Sequence, residues 1–179
     1  MRGLLIGRFQ PFHGGHLAVV REIRSRRPDD ELILGVGSAQ ASYSWKNPFT
    51  AGERIEMIRT ALEEAEIGGV LALPIPDIDR HALWVAHVEA LVPRFDRVYT
   101  NNPLTRVLFE RAGYTVQLPK MVERGRYEGE RVRASLALDD GWRDAVPPAV
   151  AQYLLQLRAP ERLALLRDAA DPAPSSGGP

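Results

Sequence analysis

Short apolar runs alternate along this chain with stretches whose apolar residues recur every three or four positions. The first run, Gly3 to Gly7, predicts a strand. A helix is expected over about His16 to Arg27, with Leu17, Val20 and Ile23 on one face. Leu32 to Gly37 is almost continuously apolar, as expected of a strand covered on both faces of a sheet. A polar loop of about Ser38 to Phe49 follows, long enough to suggest a functional role. Thr50 and Glu53 have the spacing of a capping box, and Ile55, Ile58 and Leu62 continue that helix until Gly68-Gly69. The alternation then repeats. Strands are predicted at Val70–Ile75, Arg97–Tyr99 and Tyr114–Leu118, and helices over His81–Leu91 and from Pro103 to Gly113.

After Pro119 the pattern changes. Arg124 to Arg133 is basic and loop-like and leads into a helix at about Val132–Leu138. Pro147-Pro148 opens another helix, with Val150, Tyr153, Leu154 and Leu157 turned inward, and a last one covers about Glu161–Ala170. The expected architecture is α/β, a doubly wound five-stranded parallel sheet with C-terminal helices. Residues 1–170 read as one domain, and 171–179, rich in Pro, Ser and Gly, as a disordered tail.

Composition narrows the partners. Formal net charge over the 179 residues is zero, so nothing global points to nucleic acid or an anionic membrane. There is no cysteine, which removes disulfides and thiolate metal sites. No apolar run approaches the roughly 20 residues of a membrane span, and the N-terminus lacks a signal-peptide pattern, so a cytoplasmic protein is expected.

The chemistry concentrates where the first strand turns into the first helix. Arg8, His13, Gly14, Gly15 and His16 meet at that turn, where an α/β protein holds phosphate groups. The glycines let the backbone approach an anion, the helix N-terminus supplies N–H donors, and the imidazoles donate to phosphate oxygens. A zinc pair is disfavoured, because only His81 and His87 remain as further histidines. A plain helix-capping role for His13 and His16 leaves the gathering of Arg8 and the glycines unexplained. Gly35-Val36-Gly37 lacks the third glycine of a dinucleotide fingerprint, and no Walker A sequence is present. Ligands of such sheets bind outside the carboxyl ends of the strands. That rim takes in the loop 38–49, the loop from Asp77 through Asp79 to Trp84, Asn101-Asn102 and the 124–133 segment. Trp84 fits either a core position or a stacking platform there, and Asp77 and Asp79 read as solvated acids.

Gly7-Arg8-Phe9-Gln10-Pro11-Phe12-His13 followed by Gly15-His16 resembles the signature Gly-Arg-Phe-Gln-Pro-Phe-His-x-Gly-His of archaeal-type nicotinamide mononucleotide (NMN) adenylyltransferases in the nucleotidylyltransferase superfamily. Gly37–Gln40, Asn47–Arg54, Ala82–Val85, Phe95–Tyr99 and Arg126–Arg133 resemble further segments of that family in the same order. The resemblance spans about residues 2–160. It implies a Rossmann-like fold that joins ATP to NMN, giving NAD and pyrophosphate with Mg²⁺ or another divalent cation, in a homo-oligomer. It implies ATP contacts from Gly7, Arg8, Phe9, His13, Gly15, His16, Asn102, Gly129, Val132 and Arg133. For NMN it implies Ser38, Gln40, Phe49, Asp79, Leu83 and Trp84. Arg8, His13, His16, Lys46 and Arg133 are the groups expected to serve catalysis, and the metal is expected on the ATP phosphates. Gln10-Pro11-Phe12 and Trp84 favour the nicotinamide substrate over flavin mononucleotide or phosphopantetheine.

Two positions depart from the pattern. Glu128 and Glu130 stand where that family carries hydroxyls, and a carboxylate there repels a triphosphate or competes for its N–H donors. Lys46 replaces a common arginine, keeping charge but losing the bidentate fork. The two glutamates leave a nucleotide-binding sensor without turnover as an alternative.

Overall fold

The computed structural model describes residues 1–120, 127–138 and 141–170. Five strands, β1 (Arg2–Gly7), β2 (Glu31–Val36), β3 (Val70–Pro74), β4 (Arg97–Tyr99) and β5 (Thr115–Gln117), form one sheet in the order β3-β2-β1-β4-β5. All four pairings are parallel, with Gly3 opposite both Leu32 and Arg97 and Gly7 opposite Val36. The expected doubly wound sheet is therefore present. Its order reverses at β1, since β2 lies on one side of it and β4 on the other, and the carboxyl ends part there.

Seven α-helices accompany the sheet among the described residues: α1 (Gly14–Arg26), α2 (Ala51–Glu64), α3 (Trp84–Leu91), α4 (Pro103–Arg111), α5 (Gly129–Ala137), α6 (Pro148–Gln156) and α7 (Ala159–Ala170). Successive strand residues feed opposite faces. Leu5, Leu32 and Leu34 join Val20, Met57, Leu136, Trp142, Leu154 and Leu163 in one core. Leu4 and Ile33 join Val88, Phe95 and Phe109 in the other. Both faces are buried, which is why the β2 run lacks polar alternation.

Most differences from expectation lie at helix starts. α1 begins at Gly14 rather than His16, because His13 caps it. α5 begins at Gly129 rather than Val132, and α7 at Ala159 rather than Glu161. The expected helix from His81 opens as a 3₁₀ turn, His81–Leu83, before α3. The expectations at 124–126 and 171–179 lie outside the described residues.

Candidate active site

His13 is the N-cap of α1, with extended backbone (φ −131°, ψ 172°). Its Nδ1 accepts the His16 N–H at 3.3 Å, and the His16 Nδ1 accepts the His13 N–H at 3.3 Å. This is a capping box made of two imidazoles. With Nδ1 an acceptor in both rings, each neutral ring carries its proton on Nε2, and both Nε2–H groups remain as donors. The rings lie face to face, 3.5 Å between centroids and 16° apart. Burial holds both neutral. It lowers the His13 pKa to about 4 and the His16 pKa well below its ordinary range, His16 being further opposed by the charge His13 would carry. Capping thus uses one nitrogen of each ring and frees the other, so the structural role and the donor role coexist.

The pair borders a cavity of about 690 Å³ at the parting of β1 and β4. Gly7, Phe9, Gly15 and His16 form its β1 side, Thr100, Asn101 and Asn102 its β4 side, and Tyr127, Glu128 and Gly129 its outer wall. Asn102 caps α4 by accepting the Thr105 N–H at 3.0 Å. It also borders a second cavity of about 430 Å³, lined by Asp77, Asp79, His81 and Trp84. Two adjoining cavities share one asparagine.

The cytidylyltransferase-like family model matches residues 4–135. The chain is 46% identical over 162 residues to a nicotinamide-nucleotide adenylyltransferase of Methanoculleus marisnigri, covering 90% of this chain and 95% of that one. It is 43% identical over 163 residues to the enzyme of that name from Picrophilus torridus, covering 91% and 95%. The chain belongs to the cytidylyltransferase-like family, among the nicotinamide-nucleotide adenylyltransferases. In fold it resembles a solved bifunctional NMN adenylyltransferase/ADP ribose pyrophosphatase of Francisella tularensis, crystallised with AMP and a manganese ion, at TM-score 0.75 and 20% identity. That likeness covers 92% of this chain and 51% of the solved one, so the chain spans about half its length.

As a member of this family the chain divides its expected site residues into three groups. Gly7, Phe9, His13, Gly15, His16, Asn102 and Gly129 border the first cavity, and Asp79 and Trp84 border the second. A supporting set lies behind them. Arg133 is buried, its Nη1 donating to the Gln10 carbonyl at 3.1 Å, and burial together with the charge of Arg8 lowers its pKa. Its Nε is a buried donor with no partner. Ser38 donates its N–H to Asp77 at 3.3 Å, and the Gln40 side chain accepts the Asp77 N–H at 2.9 Å, tying the loops after β2 and β3 together. The remaining side chains stand apart. Arg8, Lys46 and Leu83 are exposed and border neither cavity.

Two expected contacts have buried side chains. Phe49 is fully buried in the core, and both its backbone groups are engaged by Gln10. Val132 faces the core, and its N–H closes a helical bond to the Glu128 carbonyl at 3.0 Å. Gln10 is buried as well. Its Nε2 donates to the Phe49 carbonyl at 2.9 Å and its Oε1 accepts the Phe49 N–H at 3.0 Å, which makes it a buried brace.

Arg54 was not expected as a site residue. It is wholly buried, donating through Nη1 to the carbonyls of Arg8 (2.8 Å) and Gly37 (2.7 Å), through Nη2 to Ser38 (3.1 Å) and through Nε to Thr50 (3.1 Å). Burial lowers its pKa to about 10, with Asp77 opposing that shift. One guanidinium therefore clamps the loops following β1 and β2 onto α2. The signal in the sequence was a charge at position 54, on the face that Ile58 and Ala61 bury.

Glu128 stands at the N-cap of α5 without capping it, and borders the first cavity. Among the described residues no three His, Asp or Glu side chains gather to hold a metal ion. A divalent cation that arrives on a triphosphate fits such a site, since Mg²⁺ commonly takes one or two carboxylates and draws its other ligands from phosphate and water. No described helix is long and apolar enough to cross a membrane.

Proposed function

We propose that this protein transfers the adenylyl group of ATP to nicotinamide mononucleotide, giving NAD and pyrophosphate. The observation that carries the reading is the reciprocal cap of His13 and His16. It leaves two neutral Nε2–H donors beside a helix N-terminus at the sheet's switch point. An oxygen of the mononucleotide 5′-phosphate attacks the α-phosphorus of ATP, and the bond from that phosphorus to the β-phosphate bridging oxygen breaks. No protein nucleophile is required, so catalysis consists of positioning and of donors on the phosphates. His13 and His16 hold ATP phosphate oxygens in the larger cavity. Trp84 and Asp79 receive the nicotinamide riboside in the smaller one, and Asn102 lies between the two. Arg8 and Lys46, exposed outside both cavities, are long-chain cations that would meet the polyphosphate once it is bound. A bound divalent cation supplies charge neutralisation on the triphosphate. Homo-oligomeric assembly and a cytoplasmic setting belong to the same proposal.

Pyrophosphate release is measured with ATP, Mg²⁺ and, in turn, NMN, flavin mononucleotide and phosphopantetheine. The expected result is turnover with NMN alone and loss of at least ~100-fold in kcat for His16→Ala, on the scale of losing a transition-state donor. Turnover with another monoester reassigns the acceptor. ATP binding without any product supports a sensor, as the carboxylate of Glu128 in the cavity would suggest.

A further inference from the structure

The two glycines between the histidines have a second use. A methyl group built on Gly14 would lie 2.7 Å from Tyr127 Cε1 and 3.1 Å from its hydroxyl, and one on Gly15 would lie 2.7 Å from Tyr127 Cβ. The Tyr127 side chain therefore rests on bare backbone at the first turn of α1. Its ring is nearly parallel to that of His13, 15° apart with centroids 6.0 Å distant. His13 stacks on His16, and His16 lies over Phe12 at 5.5 Å and 29°. Phe9 meets His16 edge-on at 4.8 Å. Tyr127, His13, His16 and Phe12 thus form one column of four rings, with the edge of Phe9 against it. Phe12 and Phe9 have fully buried side chains at its inner end, and Tyr127 is its outermost ring.

We propose that Tyr127 is a positioning residue for the two-histidine pair, seated on Gly14 and Gly15 and holding both imidazoles in the orientation that frees Nε2–H for the nucleotide. Tyr127 borders the larger cavity and also a groove of about 430 Å³ beyond α1 that includes Gly14, Leu17 and Arg21. Without its ring the pair would be wetted from that side and His13 would be free to turn. The ionisable groups around the pair are Tyr127 and Glu128 on the segment entering α5. Arg8 of the β1 turn and Glu130 of α5 act in opposite directions on the charge of Arg133.

The kinetic part rests on the adenylyl-transfer reading; the histidine titration does not. Tyr127→Ala, Tyr127→Phe and Gly14→Ala are compared with wild type by NMR titration of the histidine rings and by steady-state kinetics. Tyr127→Ala is expected to move the His13 midpoint upward from about 4, toward the ordinary value of about 6.5. It should lower kcat by ~10–100-fold with KM for ATP changed less than about threefold, as misplacement of a donor does. Tyr127→Phe keeps the ring and should retain both properties. Gly14→Ala displaces the ring without emptying its place, since its backbone is not left-handed; it should move the midpoint the same way and add nothing in the Tyr127→Ala background. A His13 midpoint unchanged in both Tyr127→Ala and Gly14→Ala would overturn the proposal. So would Tyr127→Phe losing as much as Tyr127→Ala, which would transfer the role to the hydroxyl. If the wild type releases no pyrophosphate, the function fails while the titration still decides the role of Tyr127.

Discussion

Replacing Gln10 by methionine tests how the site is braced. The side chain keeps its length and apolar stem but can neither donate to the Phe49 carbonyl nor accept its N–H, two buried bonds of 2.9 and 3.0 Å. Each buried backbone group left unsatisfied costs about 1–3 kcal/mol, so a loss of ~3 kcal/mol is expected, and more if the loop cannot find water. At roughly 2–4 °C per kcal/mol for a chain of this size, the melting temperature should fall by ~6–12 °C. Thermal melts and urea titrations measure it. Gln10→Glu provides an internal check. An ionised carboxylate still accepts the Phe49 N–H but repels the Phe49 carbonyl, whereas the protonated acid can donate to it. The folded-state pKa of the introduced carboxyl group should therefore be raised. Stability relative to wild type should then fall as pH rises from about 4.3, the ordinary glutamate value, through that raised one. Taking the difference from wild type at each pH cancels the histidine contribution. A Gln10→Met melting temperature within about 2 °C of wild type, or a Gln10→Glu deficit independent of pH, would refute the bracing argument.

Two further outcomes follow from the site. His13 is neutral when folded, with a pKa near 4. The unfolded chain, at about 6.5, binds more protons between those values, so stability is complete above pH 6.5 and declines as pH falls toward 4. His13 alone should account for ~2.5 kcal/mol lost between pH 7.5 and 4.5, read from urea midpoints against a His13→Gln variant. Glu130 lies in the first turn of α5 and is exposed. Glu130→Thr should tighten ATP by ~2–5-fold by calorimetry, the effect of one charge at a helix end; unchanged or weaker binding counts against repulsion.

The alternation of strand and helix was readable because each element carries its own period, but the order β3-β2-β1-β4-β5 had to come from the structure. The turn that carries Arg8, His13 and His16 was readable because its residues are contiguous. What stayed hidden depends on partners far along the chain. Gln10 and Phe49 are 39 positions apart, and Arg133 reaches the Gln10 carbonyl across 123. An isolated glutamine or arginine carries no sign of such a partner. The burial of Phe49 and Val132 stayed hidden for a related reason: an apolar residue in a functional segment reads equally as wall or as foundation. The start of α1 was missed because histidine is not among the usual capping residues, and only the geometry shows two of them capping each other. Gly14 and Gly15 invited a phosphate explanation, and only Tyr127 lying on them supplied another.

The place of β1 in the sheet also shapes how the protein can be made. It is first in the chain yet central, and its β4 side is unpaired until Arg97–Tyr99 has been synthesised. A nascent chain shorter than that presents an apolar strand with one open edge, a template for wrong pairing. The donor turn at the end of β1 is complete by residue 16, but its brace at Phe49, its opposite wall at Asn102 and its outer ring at Tyr127 come later by stages. The candidate site is thus completed long after its first residues are made, and long sequence separation of this kind slows folding.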